Sequence, residues 1–188
     1  MNTGVISGVR VSHDSADLDA IEAARVGDPA AAVESLVSRS GVQEAFVMRT
    51  CHRVEAYVVA DDEETAREAV RSVLDERTTT EAVATNHAES LHHLLRVGAG
   101  LESLVLGEDQ VLGQLRDAYE TARGAGGIGT VLSTAITKAI HVGERARTET
   151  EINEGVVSLG SAAVRLAERE TTLDGATGLV VGAGEMGR

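Results

Sequence analysis

The chemistry-bearing stretch of this 188-residue chain is Met48-Arg49-Thr50-Cys51-His52-Arg53-Val54-Glu55, which holds its only cysteine. Arg49, His52 and Arg53 surround Cys51 with cationic groups that favour the thiolate, the form that attacks a carbonyl carbon. A lone cysteine is more often a small buried apolar residue, so composition alone favours an inert thiol. A second polar cluster begins at His93 and Arg96. It continues through Ser103 and Glu108-Asp109-Gln110 to Gln114. Gln110 and Gln114 are four apart and share a helix face beside Glu108, so amides and a carboxylate converge as the contacts of a small polar ligand require. The competing reading is a helix start with solvated glutamines, which spacing alone favours. On the wheel, His93, Arg96 and Gly100 lie away from the Leu91/Leu94/Leu95 stripe, which ordinarily means a solvated face. A third cluster, Gly182-Ala183-Gly184-Glu185-Met186-Gly187, follows the apolar run Gly178-Leu179-Val180-Val181. It has the G-x-G-x-x-G form of a dinucleotide-binding turn after a strand.

The elements around these clusters set the expected fold. Val5–Val11, Val42–Met48, Glu55–Ala60 and a short run near Ala82–Ala84 read as strands, with Cys51 in the turn between the second and third. Helical periodicity runs through Leu18 and Ile21, then from Pro29 through Val37, and from Asp61 to about Glu76. The pattern from Ala88 to about Arg147 is almost wholly helical, interrupted near Gly100 and at Gly124–Gly127. An α+β domain with an antiparallel sheet and a helical subdomain follows. The spacing predicts one domain over 1–150, the part to which a catalytic and recognition role falls by the resemblance given below, and a helix seam through Val156, Leu159, Ala163 and Leu166 within 151–170. The linker and the first strand and turn of a Rossmann α/β domain, cut short, occupy 171–188.

Thirty acidic residues face seventeen basic ones, a formal net charge of −13, and Lys138 is the only lysine. Such a surface stays hydrated in concentrated salt, where counterions screen its repulsion, and points to a salty cytoplasm. A nucleic-acid partner would have to be met by a local arginine patch. The pairs Arg116/Arg123 and Lys138/Arg145, each seven apart, are candidates for one, or are ordinary solvated charge. No window suits a membrane span, no signal peptide is evident, and one cysteine excludes an internal disulfide framework. No metal-ligand pattern is present. A cytoplasmic location is the expectation.

Thr50-Cys51-His52-Arg53 resembles the Thr/Ser-Cys-Asn-Arg element of the glutamyl-tRNA reductases. His93–Val97 followed by Gly100–Gln114 is similar, nearly residue for residue, to that family's longest signature. Arg145–Thr150 resembles its arginine-rich segment, and Gly182–Gly187 its NADPH turn. The resemblance implies that Cys51 attacks the ester of glutamyl-tRNA(Glu), that a glutamyl thioester forms, and that NADPH reduces it to glutamate-1-semialdehyde for tetrapyrrole synthesis. It places Thr50, His52, Arg53, Ser103, Glu108, Asp109, Gln110 and Gln114 in the substrate pocket, with Arg53 facing the substrate carboxylate. By the same resemblance His93 would polarise the ester or handle a proton. Gly182, Ala183, Gly184, Glu185, Met186 and Gly187 hold the cofactor. It further implies a homodimer joined through a long spinal helix and a distal domain, and hand-over to glutamate-1-semialdehyde aminomutase. His52 departs from the family's usual Asn. The other readings of the residues are a thiol-dependent acyl transferase or esterase, and a non-catalytic tRNA-binding module with an inert Cys51.

Overall fold

The computed structural model describes residues 5–24, 27–74, 82–152, 159–179 and 181. Four strands, β1 (Val5–Ser12), β2 (Val42–Arg49), β3 (Arg53–Ala60) and β4 (Val83–Thr85), form one sheet in the order β2-β3-β1-β4 with every pairing antiparallel. All eight residues of β3 are buried, so helices cover the sheet on both faces. The period of two then sorts β3 into two kinds of face. Val54, Ala56, Val58 and Ala60 are apolar on one side, whereas Arg53, Glu55 and Tyr57 share the other.

Around the sheet stand α1 (Leu18–Ala23), α2 (Pro29–Val37), α3 (Glu63–Arg71), α4 (His87–Ala99), α5 (Gln110–Gly124) and α6 (Thr130–Glu149). Asp17, Asp28 and Asp62 cap α1, α2 and α3 through side-chain bonds to backbone N–H groups. A reciprocal capping box between Asn86 and Glu89 starts α4. The start of α6 has no cap of its own, because Gly129 stands there. The buried Glu44 of β2 takes that role, accepting from Val131 N at 3.0 Å and Leu132 N at 2.7 Å. Helices α4 and α6 approach closely where Gly98 faces Ala139 and Gly143, and a methyl group at Gly98 would strike the Ala139 carbonyl.

The polar face of α4 departs from the helical-wheel expectation. Ser90, His93, Leu94 and Val97 are buried, with His93 only 6% exposed, while Leu91 and Leu95 are half-buried. The His93 side is the one laid on the sheet, because Arg53, Glu55 and Tyr57 present polar partners there. At the distal end, α7 (Leu159–Glu170) forms, but no residue from 160 to 170 is buried. Its predicted seam meets no cover among the described residues. Residues 178, 179 and 181 form no strand, and Leu179 and Val181 are each 88% exposed. A strand exists only as a paired ladder, and no described residue pairs with this one.

Candidate active site

Cys51 sits at the tip of the β2–β3 hairpin. Thr50 N donates to Arg53 O at 2.9 Å and closes the turn, and His52 N donates to Thr50 Oγ1 at 3.2 Å. The thiol is exposed, and its Sγ lies 3.0 Å from His52 Nδ1. The turn forms one wall of a pocket. The other wall is the irregular segment between α4 and α5 together with the first turns of α5. Thr50, Cys51, His52, Arg53, Ser103, Leu104, Glu108, Gln110, Val111 and Gln114 line it. Seven of the eight expected recognition residues thus meet at the thiol. The enclosed space is about 20 Å³, room for about one water molecule.

The eighth, Asp109, stands outside. Arg147 Nε binds its carboxylate at 2.9 Å, while Arg147 Nη1 donates to Gly98 O at 3.1 Å and Gly143 O at 3.0 Å, and Nη2 to Glu108 O at 2.5 Å. Arg147, from the arginine-rich segment, therefore clips the α4–α5 segment to both helices. Gly100 and Gly107, with φ of +77° and +76°, lie against each other in that segment, and Gly107 N donates to Gly100 O at 3.0 Å.

Behind the turn lies a buried polar network. Arg53, 3% exposed, donates from Nη1 to Glu55 Oε1 at 3.0 Å and from Nη2 to the Glu102 carbonyl. Glu55 is fully buried. His93 Nε2 lies 2.9 Å from its Oε1, and Tyr57 donates its hydroxyl to Oε2 at 2.7 Å. Burial alone pushes the Glu55 carboxyl up, but the bond and charge of His93, the charge of Arg53 and the Tyr57 bond outweigh it and hold the pKa at about 2. Burial, then the Glu55 charge, pushes the Tyr57 phenol well above its ordinary value. Gly8, opposite Tyr57 on β1, leaves the space its ring fills.

His93 does not line the Cys51 pocket. With Arg10, Thr85, Glu89, His92, Arg96 and Glu102 it lines a neighbouring cleft of about 340 Å³. The Arg53–Glu102 contact joins the two cavities, and His93 Nδ1 is 3.8 Å from Glu102 Oε2. Glu55 and Arg147 were not singled out from the sequence. The alternation of Arg53, Glu55 and Tyr57 along one strand face was the available signal. Arg49 is turned to the Gly27 carbonyl at 2.6 Å. Three of the four residues of the candidate basic ridge are paired with acids, Arg116 with Glu144, Arg123 with Glu120 and Arg145 with Glu149. Gly182, Ala183, Gly184, Glu185, Met186 and Gly187 lie outside the described residues. Among the described residues no cluster of potential ligands suits a metal ion, and no helix is long and apolar enough to cross a membrane.

Residues 9–150 match the family described as "Glutamyl-tRNAGlu reductase, N-terminal domain". The chain is 60% identical over 186 residues to the glutamyl-tRNA reductase of Halobacterium salinarum, covering 99% of this chain and 43% of that protein. It is 58% identical over 191 residues to that of Haloarcula marismortui, covering 100% and 42%. The solved glutamyl-tRNA reductase of Methanopyrus kandleri superposes with a TM-score of 0.75 at 36% identity, covering 90% of this chain and 40% of that one. The chain thus spans less than half the length of the curated relatives it matches. With the Cys51 turn, the signature segment and the fold in agreement, the chain belongs to the glutamyl-tRNA reductase family, over the N-terminal domain of that family.

Proposed function

We propose that the full-length protein reduces the ester of glutamyl-tRNA(Glu) to glutamate-1-semialdehyde with NADPH, and that this chain supplies its acylation site. The observation that carries the reading is the exposed Cys51 thiol at a hairpin tip, ringed by Thr50, Arg53, Ser103, Glu108, Gln110 and Gln114. Cys51 attacks the ester carbonyl, a C–S bond forms, the terminal ribose hydroxyl of the tRNA leaves, and a glutamyl thioester remains. NADPH, when bound, would supply the hydride for reduction of that thioester. The turn that would hold the cofactor, Gly182 to Gly187, lies outside the described residues.

Recognition of glutamate falls to Arg53 and the amides. Arg53 commits two of its N–H donors within the protein and keeps the rest of its fork for a carboxylate. His93, held by Glu55, keeps Arg53 and the hairpin in register. The cytoplasmic location, the homodimer through the distal region, α7 as the start of the spinal helix, and hand-over to glutamate-1-semialdehyde aminomutase belong to the same proposal.

The test is mass spectrometry of the full-length protein after mixing with glutamyl-tRNA without NADPH, followed by an aldehyde trap with NADPH present. A glutamyl adduct on Cys51, then trapped semialdehyde, is expected, and Cys51→Ser should give neither. Semialdehyde formation by Cys51→Ser at near-normal rate would sink covalent catalysis through this residue.

A further inference from the structure

A thiol nucleophile acting on an ester needs a group that removes its proton and later protonates the leaving alkoxide. Arg53 and Arg49 cannot accept a proton. Arg53 is engaged by Glu55 and the Glu102 carbonyl, and Arg49 donates to Gly27 O. His93 is committed to Glu55 at 2.9 Å and lines the adjacent cleft. His52 Nδ1, in contrast, lies 3.0 Å from Cys51 Sγ.

We propose that His52 is the proton acceptor and donor of Cys51, so that in this chain the nucleophile works as a thiolate–imidazolium pair formed by adjacent residues of one turn. The proposal rests on the acylation reading above and deepens it. In the step, Nδ1 takes the Sγ proton, the thiolate adds to the ester carbonyl, and the tetrahedral intermediate expels the ribose oxygen, which takes the proton back from Nδ1. A thiol and an ester become a thioester and an alcohol, with no proton left over. The required tautomer carries its hydrogen on Nε2. An Asn, which the family motif usually has at this position, can orient a thiol but cannot hold its proton.

The surroundings fix the imidazole. His13, in the turn after β1, donates its backbone N–H to the His52 carbonyl at 3.1 Å and sets its ring edge-on to the His52 ring, centroids 6.3 Å apart at 77°. His13 Nε2 is 3.4 Å from Asp14 Oδ1. The buried His13 Nδ1 has no hydrogen-bond partner among the described residues. Asp14 is thus the partner of His13, which stands between it and the His52 ring. The charged and titratable groups facing the pair are His13 from the β1 turn, Arg53 at the start of β3 and Glu108 across the pocket, with Asp14 behind His13.

The experiment follows iodoacetamide alkylation of Cys51 against pH in the full-length protein at high salt, beside single-turnover release of tRNA from glutamyl-tRNA. The wild-type protein should alkylate from the neutral range upward. His52→Asn and His52→Gln keep a polar side chain in the turn and should move the rise roughly 1–2 pH units to the alkaline side. Near neutral pH, tRNA release by either variant should fall by about 10²-fold and converge on wild type as pH rises. Added imidazole should restore part of the rate to His52→Ala. A wild-type alkylation profile in the folded Asn and Gln variants, with tRNA release within about twofold at neutral pH, would overturn the proposal and leave His52 a turn residue. If the wild-type protein shows the neutral rise but forms no glutamyl adduct, the glutamyl-tRNA reading fails while the thiolate–imidazolium pair stands.

Discussion

Replacing Glu55 with glutamine removes one charge from a site no solvent reaches, and the buried partners of that charge set the sign of the effect. The Glu55 pKa falls from 4.5 to about 2 on folding, at full burial. The difference of about 2.5 units corresponds to roughly 3 kcal/mol of folding stability that depends on the ionised carboxyl. The folded-state pKa is the depressed one, so this stability is fully present above the unfolded value and is lost as pH falls through the folded value. Glu55→Gln should therefore be destabilised by about 3 kcal/mol near neutral pH, rising toward 5 if the buried Arg53 is left without its counter-charge. The gap should shrink to about 1 kcal/mol near pH 3 and close near pH 2. Chemical denaturation of both proteins in concentrated salt at several pH values measures it. The difference between the two cancels the titration of the other carboxylates. A gap below about 0.5 kcal/mol at neutral pH, or one that stays constant down to about pH 2.5, would refute the network as described.

Two further substitutions probe what holds the pocket. Arg147→Met should cost roughly 2–4 kcal/mol, because a side chain 9% exposed loses its bonds to Asp109, Gly98, Gly143 and Glu108. It should also raise KM for glutamyl-tRNA in the full-length protein by freeing the segment with Ser103 and Glu108, and steady-state kinetics beside a melting curve reads both. Glu44→Ala should cost about 1–3 kcal/mol by orphaning the Val131 and Leu132 N–H groups at the start of α6. Hydrogen exchange at those two amides should accelerate while the β2–β3 pairing keeps its protection.

The sheet was legible because its strands are apolar runs rich in valine between polar turns, and β1, β2, β3 and β4 form within one or two residues of their expected places. The helix ends were less so. The capping box of Asn86 and Glu89 starts α4 at His87, one residue before the expected point, and the cap of α6 comes from Glu44, 87 residues back along the chain. No local pattern encodes a cap supplied by another element. The strand expected at 178–181 had the right apolar residues but no partner among the described ones. Periodicity reports what a segment could bury, not what is there to bury it.

The two histidines separate what spacing can and cannot say about a site. His93 sits on the charged side of a helical wheel and reads as solvated. It is buried because β3, nearly forty residues earlier, places Glu55 at 2.9 Å under it. A wheel assumes one apolar partner, whereas α4 has two neighbours, the sheet beneath and α6 beside it, and the sheet face is polar. His52 reads only as a departure from a motif, yet the turn that makes Cys51 accessible also sets its imidazole against the thiol. Burial inside an ion network fits His93 to hold Arg53 in place and leaves it poorly placed to exchange a proton with a substrate. Partial exposure beside the thiol fits His52 for that exchange. The division follows from depth below the surface, a coordinate that the order of residues carries only through the tertiary fold.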